Sequence, residues 1–193
     1  MSIFDKLKKT ASDALNKGIT NTASALTSQK ETFTFAALPE SLAELQALPE
    51  AAMDTPFKTA ALTVCALCAY GADKAIGTEM LNFLLGPRPL NNVQISFLND
   101  RFSESHHVPF SYFKGAVPAN DYTPDTPFTI TVESGPYSDA NAGEGYKKLY
   151  IRSGGADNAR EIVLRMRGDG KWFLWEQFLL VGIRKAKSDD PWA

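Results

Sequence analysis

The 193 residues are 44% hydrophobic and 11% aromatic, which suits one domain with an appendage and a sizeable buried core. A formal net charge of −2 and a pI near 5.7 leave no basic field to hold a phosphate backbone, so nucleic acid is not an expected partner. Neither a secretory signal nor a bilayer span is expected: "MSIFDKLKKTASDALNKG" breaks every apolar pair with charge or hydroxyl, and the longest weakly polar run, Thr59 to Ala72, is too short to cross a membrane. The cytoplasm is the expected compartment.

Residues 1–30 carry five lysines against two aspartates, a net +3, whereas residues 31–60 carry Glu31, Glu40, Glu44, Glu50 and Asp54 against Lys58, a net −4. That sign change divides the chain into a leader, 1–30, and a single domain, 31–193. Within the leader Phe4, Leu7, Ala11, Ala14, Leu15, Gly18, Thr22, Ala25 and Leu26 recur at steps of three and four, the spacing of an amphipathic helix with one narrow apolar stripe. Such a helix is marginal alone in water. It is expected to dock on its own domain or on another copy through Ile3, Phe4, Leu7, Leu15, Ile19 and Leu26, with an anionic membrane surface as the competing partner.

Further along, Thr32 to Phe35 alternates like a short strand, and Pro39 opens a helical pattern in which Leu38, Leu42, Leu45 and Leu48 share a face. Asp54 or Thr55 before Pro56 is a start signal for a central helix running to about Tyr70. A short helix is predicted from Thr78 to Leu85, stopped by Gly86 and Pro87. Another follows Asn91 or Asn92 as cap, with Val93, Phe97 and Leu98 inward. From His107 prolines and glycines punctuate the chain, and then "FTITVES", "KKLYIRS", "EIVLRMR" and "KWFLWEQF" read as four strands, the last two joined by the hairpin signal "GDG". In the third, Ile162, Leu164 and Met166 are expected on one face. The whole is an α+β arrangement: N-terminal helices on one face of a C-terminal antiparallel meander of about four strands.

"CALC" places the two cysteines, Cys65 and Cys68, about two turns inside an apolar helix. A redox dithiol needs a helix N-terminus to lower a thiol pKa, so buried structural cysteines are expected. Zinc would need two more ligands, and the adjacent His106 and His107 rarely converge on one metal. "SESHHVPF" has a serine, a carboxylate and histidines but no nucleophile elbow, and reads as two exposed loop histidines. "SGGADNAR" lacks the lysine and the frame of a phosphate loop and reads as a hairpin loop, so no cofactor is expected. The aromatics of the second half are core first. The candidate ligand pocket they leave, between sheet and helices, takes His106, His107, Tyr112, Lys114, Tyr122 and Trp175.

The stretches "VPFSYFKGAVPANDYTPDTPFTITV" and "GDGKWFLWEQFLLVGIRKAKSDDPWA" resemble an uncharacterised family of small bacterial proteins, mainly of Firmicutes, defined as a domain of unknown function and covering about residues 32–193. The resemblance implies no activity, cofactor or catalytic residue. It does imply that the tail belongs to the domain, with Pro191 stiffening the chain so that Trp192 closes onto an apolar groove. The expected function is a non-enzymatic binding or assembly protein that self-associates or docks a partner through its leader. A small-ligand or enzymatic domain and a peripheral membrane protein are the alternatives.

Overall fold

A computed structural model describes residues 28–103 and 105–190. The leader stripe and the closure by Pro191 and Trp192 lie outside the described residues. The chain enters on a strand, β1 (Lys30–Phe35), passes through four helices, α1 (Leu42–Ala47), α2 (Pro56–Ala72), α3 (Lys74–Leu85) and α4 (Asn92–Arg101), and returns through β2 (Phe128–Glu133), β3 (Tyr146–Ile151), β4 (Arg160–Met166) and β5 (Trp172–Gln177). The five strands form one sheet in the order β1-β2-β3-β4-β5, each neighbour antiparallel. The fold class is α+β, as the order of patterns requires.

Period-two alternation decides which sheet face is dry. Phe33 and Phe35 on β1, Ile130 and Val132 on β2, Leu149 and Ile151 on β3, and Ile162 and Leu164 on β4 are buried on the helix side. The other face is polar, with Thr32 bonded across to Thr131 at 2.9 Å and Lys148 paired with Glu161 at 3.0 Å. Met166 departs from the expected inward set and is 46% exposed, because it stands beside the turn where β4 leaves the core. In that turn the Arg167 N–H reaches Lys171 O at 2.8 Å, and Gly170 takes the left-handed conformation a tight hairpin needs.

Helix α2 is the centre of the molecule, buried without interruption from Thr59 to Tyr70 because the sheet covers one side and α3 the other. Thr55 caps it through the Lys58 N–H (3.3 Å), with Pro56 in the first turn. Only Asp73 separates α2 from α3, and its carboxylate accepts from the N–H groups of Ala75 and Ile76 at 2.8 and 3.1 Å. That cap starts α3 four residues before the expected Thr78. It also lets α3 fold straight back against α2, and Gly77 sits where a Cβ would lie 2.2 Å from Tyr70 Cα. Likewise α1 begins after Ser41, which accepts from the Glu44 N–H at 3.2 Å, rather than at Pro39.

Helix α4 begins as expected, with a reciprocal capping box between Asn91 and Gln94. Its predicted inward face is corrected: Leu98 is buried, but Val93 is 78% and Phe97 39% exposed. Within the helix only Leu98 is buried, with Phe102 held in the core just beyond it, while Gln94 and Ile95 are half-buried and Val93 and Phe97 stay open to solvent.

Candidate functional site

The six residues of the candidate pocket do not come together as one set. His106 is exposed on the loop after α4. His107 is not the exposed histidine its loop context implies. Its ring stacks on Tyr122 with centroids 5.1 Å apart and planes 3° from parallel, and its Nδ1 lies 3.4 Å from Asp189. Tyr112 is buried and its hydroxyl donates to Leu179 O, which occupies it internally. Burial pushes that phenol above its usual range. Tyr112 and Lys114 line a hollow of about 360 Å³ with Glu133, Arg152, Ser153 and Gly154, on the β2–β3 side. Trp175 stands on β5, the other edge strand. Three separate neighbourhoods therefore replace one pocket.

The His107–Tyr122 pair belongs to a clamp on the C-terminal segment. The Tyr122 hydroxyl donates to Arg184 O at 2.7 Å, Asp121 accepts the Ser188 N–H at 2.8 Å, and Arg184 pairs with Asp157. To aim both groups at that segment, Asp121 and Tyr122 take positive φ in succession, 52° and 57°, a strained conformation for a bulky residue. Burial lowers the His107 pKa against the opposing pull of Asp189 and Asp121, with His106 adding to the depression. The histidine thereby joins Tyr122 to Asp189 of the C-terminal segment.

Cys65 and Cys68 are free thiols, buried in α2, and desolvation raises both well above the ordinary thiol pKa. Among the described residues no group of three or more His, Cys, Asp and Glu side chains is placed to hold a metal ion.

The most distinctive surface surrounds Trp175. Leu164 pairs with Leu174 and Val163 with Glu176, so a bulge leaves Trp175 without a cross-strand partner and turns its ring aside. Arg88 lies 3.6 Å and Arg165 4.7 Å from the ring centroid, and Tyr146 meets the ring edge-on at 5.2 Å. Each half-exposed cation–π contact contributes about 0.5–1 kcal/mol. Arg88 arrives there because Gly86, at φ +61, turns the chain sharply after α3 and lets Phe173 lie where a Cβ would be, 2.4 Å away.

Two hollows meet at this ring and share Leu85, Leu174 and Trp175. One, about 260 Å³, runs between α2, α3, α4 and β5 and is floored by Leu67, Leu81 and Leu98; the other, about 320 Å³, carries Arg88, Arg165 and Arg167. Phe97 and Phe178 line the first and Met166 the second, three of the large apolar side chains exposed among the described residues. Arg167 is paired with Asp169, whose carboxyl the guanidinium holds down at about 2. The alternation of "EIVLRMR" puts Arg165 on the outward face of its strand, but nothing in "GPRP" announced that Arg88 would reach it.

A family model described as a domain of unknown function, DUF6935, matches residues 37–187. No curated protein and no solved structure matches the chain.

Proposed function

The chain belongs to the DUF6935 family of domains of unknown function, and on that premise we propose a non-enzymatic binding protein whose groove along β5 receives an apolar, carboxylate-bearing segment of another protein. One observation carries the reading. Arg88 and Arg165 lie over Trp175 at the mouth of an apolar hollow, and the arginine ion pairs of the described residues engage Arg101, Arg152, Arg167 and Arg184 instead. An apolar groove with two cations at its rim favours apolar anchors flanked by Asp or Glu, which supply the missing counter-charge. Exposed Phe97 and Phe178 extend the apolar area beyond what one small ligand would cover. The scatter of His107, Lys114 and Trp175 over three neighbourhoods weighs against a catalytic centre built from them. A reducing cytoplasm suits two free thiols at Cys65 and Cys68. Among the described residues no helix is long and apolar enough to cross a membrane.

The test is selection of displayed random peptides on the full chain, followed by titration of the selected peptides. Selected sequences are expected to combine Leu, Phe or Trp with Asp or Glu, and Arg88→Ala with Arg165→Ala is expected to weaken them at least about tenfold, the size of a hot-spot loss. Peptides without acidic residues, or binding indifferent to both substitutions, would overturn the reading.

A further inference from the structure

A second groove, about 530 Å³, opens where edge strand β1 runs out, at the opposite edge of the sheet from β5. The pairing of Phe35 with Phe128 ends the β1–β2 ladder, and the chain then turns away through residues 36–39. Helix α2 reaches the same place with two small side chains, Ala69 and Ala72, just before Asp73 starts α3. With Ala36 and Ala37 they leave open a space that larger residues would fill, lined otherwise mainly by the half-buried Leu38, Ile76, Phe110 and Phe128.

Two charged groups stand among these apolar ones. Glu40 and Asp73 are exposed, and no lysine, arginine or histidine lines the groove, Lys74 beside Asp73 included. Among the described residues neither carboxylate forms an ion pair. Asp73 spends a single oxygen, Oδ1, on both of its cap bonds to the N–H groups of Ala75 and Ile76, so its charge is not cancelled by a partner. The third polar side chain, the Cys68 thiol, is kept neutral by burial.

Small-ligand sites commonly enclose about 300–1,000 Å³ with an apolar lining and few polar groups, and the groove has both the size and the make-up. Its lining receives an apolar body. Carboxylates without counter-charge at its margin favour a positive group over a neutral or negative one. Phenylalanine rings add their own attraction for an ammonium.

We infer that this groove binds a small organic amine, its apolar body on Ile76, Phe110 and Phe128 and its protonated nitrogen beside Glu40 and Asp73. The site is separate from the β5 groove, and the inference stands whether or not that groove binds a partner.

The alanines of the groove supply the reporter. The full chain, isotope-labelled at its alanine methyls, is titrated at neutral pH with phenylpropylamine, and in parallel with phenylpropanol and phenylpropanoate, which keep the apolar body and change the charge. Shifts on adding the amine are expected at Ala36, Ala37, Ala69 and Ala72 and not at Ala140 or Ala142, which lie beyond the other end of β2. The amine should bind at least about fivefold more tightly than the alcohol, and the acid most weakly. Glu40→Gln with Asp73→Asn should abolish that preference while leaving the alcohol's affinity as it was, since asparagine retains the cap on α3. Ala72→Phe, at an exposed position, should fill the groove and prevent binding of all three. Equal affinity for amine and acid, a preference that survives the two neutralising changes, shifts centred away from the groove alanines, or no binding of the amine would each overturn the inference.

Discussion

Tyr122 shows how a single side chain can organise a terminus. Its left-handed backbone is held by what the ring and hydroxyl gain: a stack on His107 and a bond to Arg184 O. His107 therefore reports on the clamp. Its folded pKa lies below the ordinary value, first because of burial and despite Asp189 and Asp121. A group depressed in this way is bound by protons more readily in the unfolded chain, so its contribution is complete above about pH 6.5 and is lost as the pH falls from there towards the folded value. Denaturant melts of the wild-type chain at steps between about pH 7.5 and 5 should show that decline, and His107→Gln should remove that part of the slope. Identical slopes would leave His107 without this role. The histidine pair was visible in the sequence, but the partner 15 residues on was not, because stacking is a matter of where a strained turn delivers a ring.

At the scale of the element, start and stop signals were legible wherever a side chain meets its own backbone. Thr55 and Pro56 opened α2, Asn91 opened α4, and Gly86 ended α3, since caps act over three residues and need no tertiary contact. The inward face of α4 was misread for the complementary reason. An apolar residue at helical spacing predicts a buried face only if another element covers it, and Val93 and Phe97 are left uncovered. Substitutions should separate the two classes: Leu98→Ala should cost about 3 kcal/mol, as for other buried leucines, whereas Val93→Ala should stay within about 0.5 kcal/mol, the range of surface changes. Urea midpoints at fixed slope measure both. A Val93→Ala loss as large as that of Leu98→Ala would mean that α4 packs through its first turn as well.

For the whole molecule, α2 lies between the sheet and α3, and Cys65 at its middle is 0% exposed. Its thiol should react only through global opening, so its labelling rate should yield the same free energy as denaturant extrapolation. Ile162→Val, on the sheet face beneath α2, should destabilise by about 1 kcal/mol and speed labelling of Cys65 about fivefold. Labelling orders of magnitude faster than global unfolding would instead reveal local opening of α2.

The sequence by itself determined the α+β class, the five strand patterns, the central helix, the burial of both cysteines and the hairpin turns, because these follow from periodicity, capping and turn chemistry acting within a few residues. It also displayed the charge reversal between residues 1–30 and 31–60. Tertiary structure alone decided the strand order, the tight α2–α3 crossing at Gly77, the exposure of α4 and the meeting of Arg88 with Arg165 on Trp175. Those features depend on which faces the packed layers leave open, and residues 77 positions apart come together only after the core has chosen its neighbours.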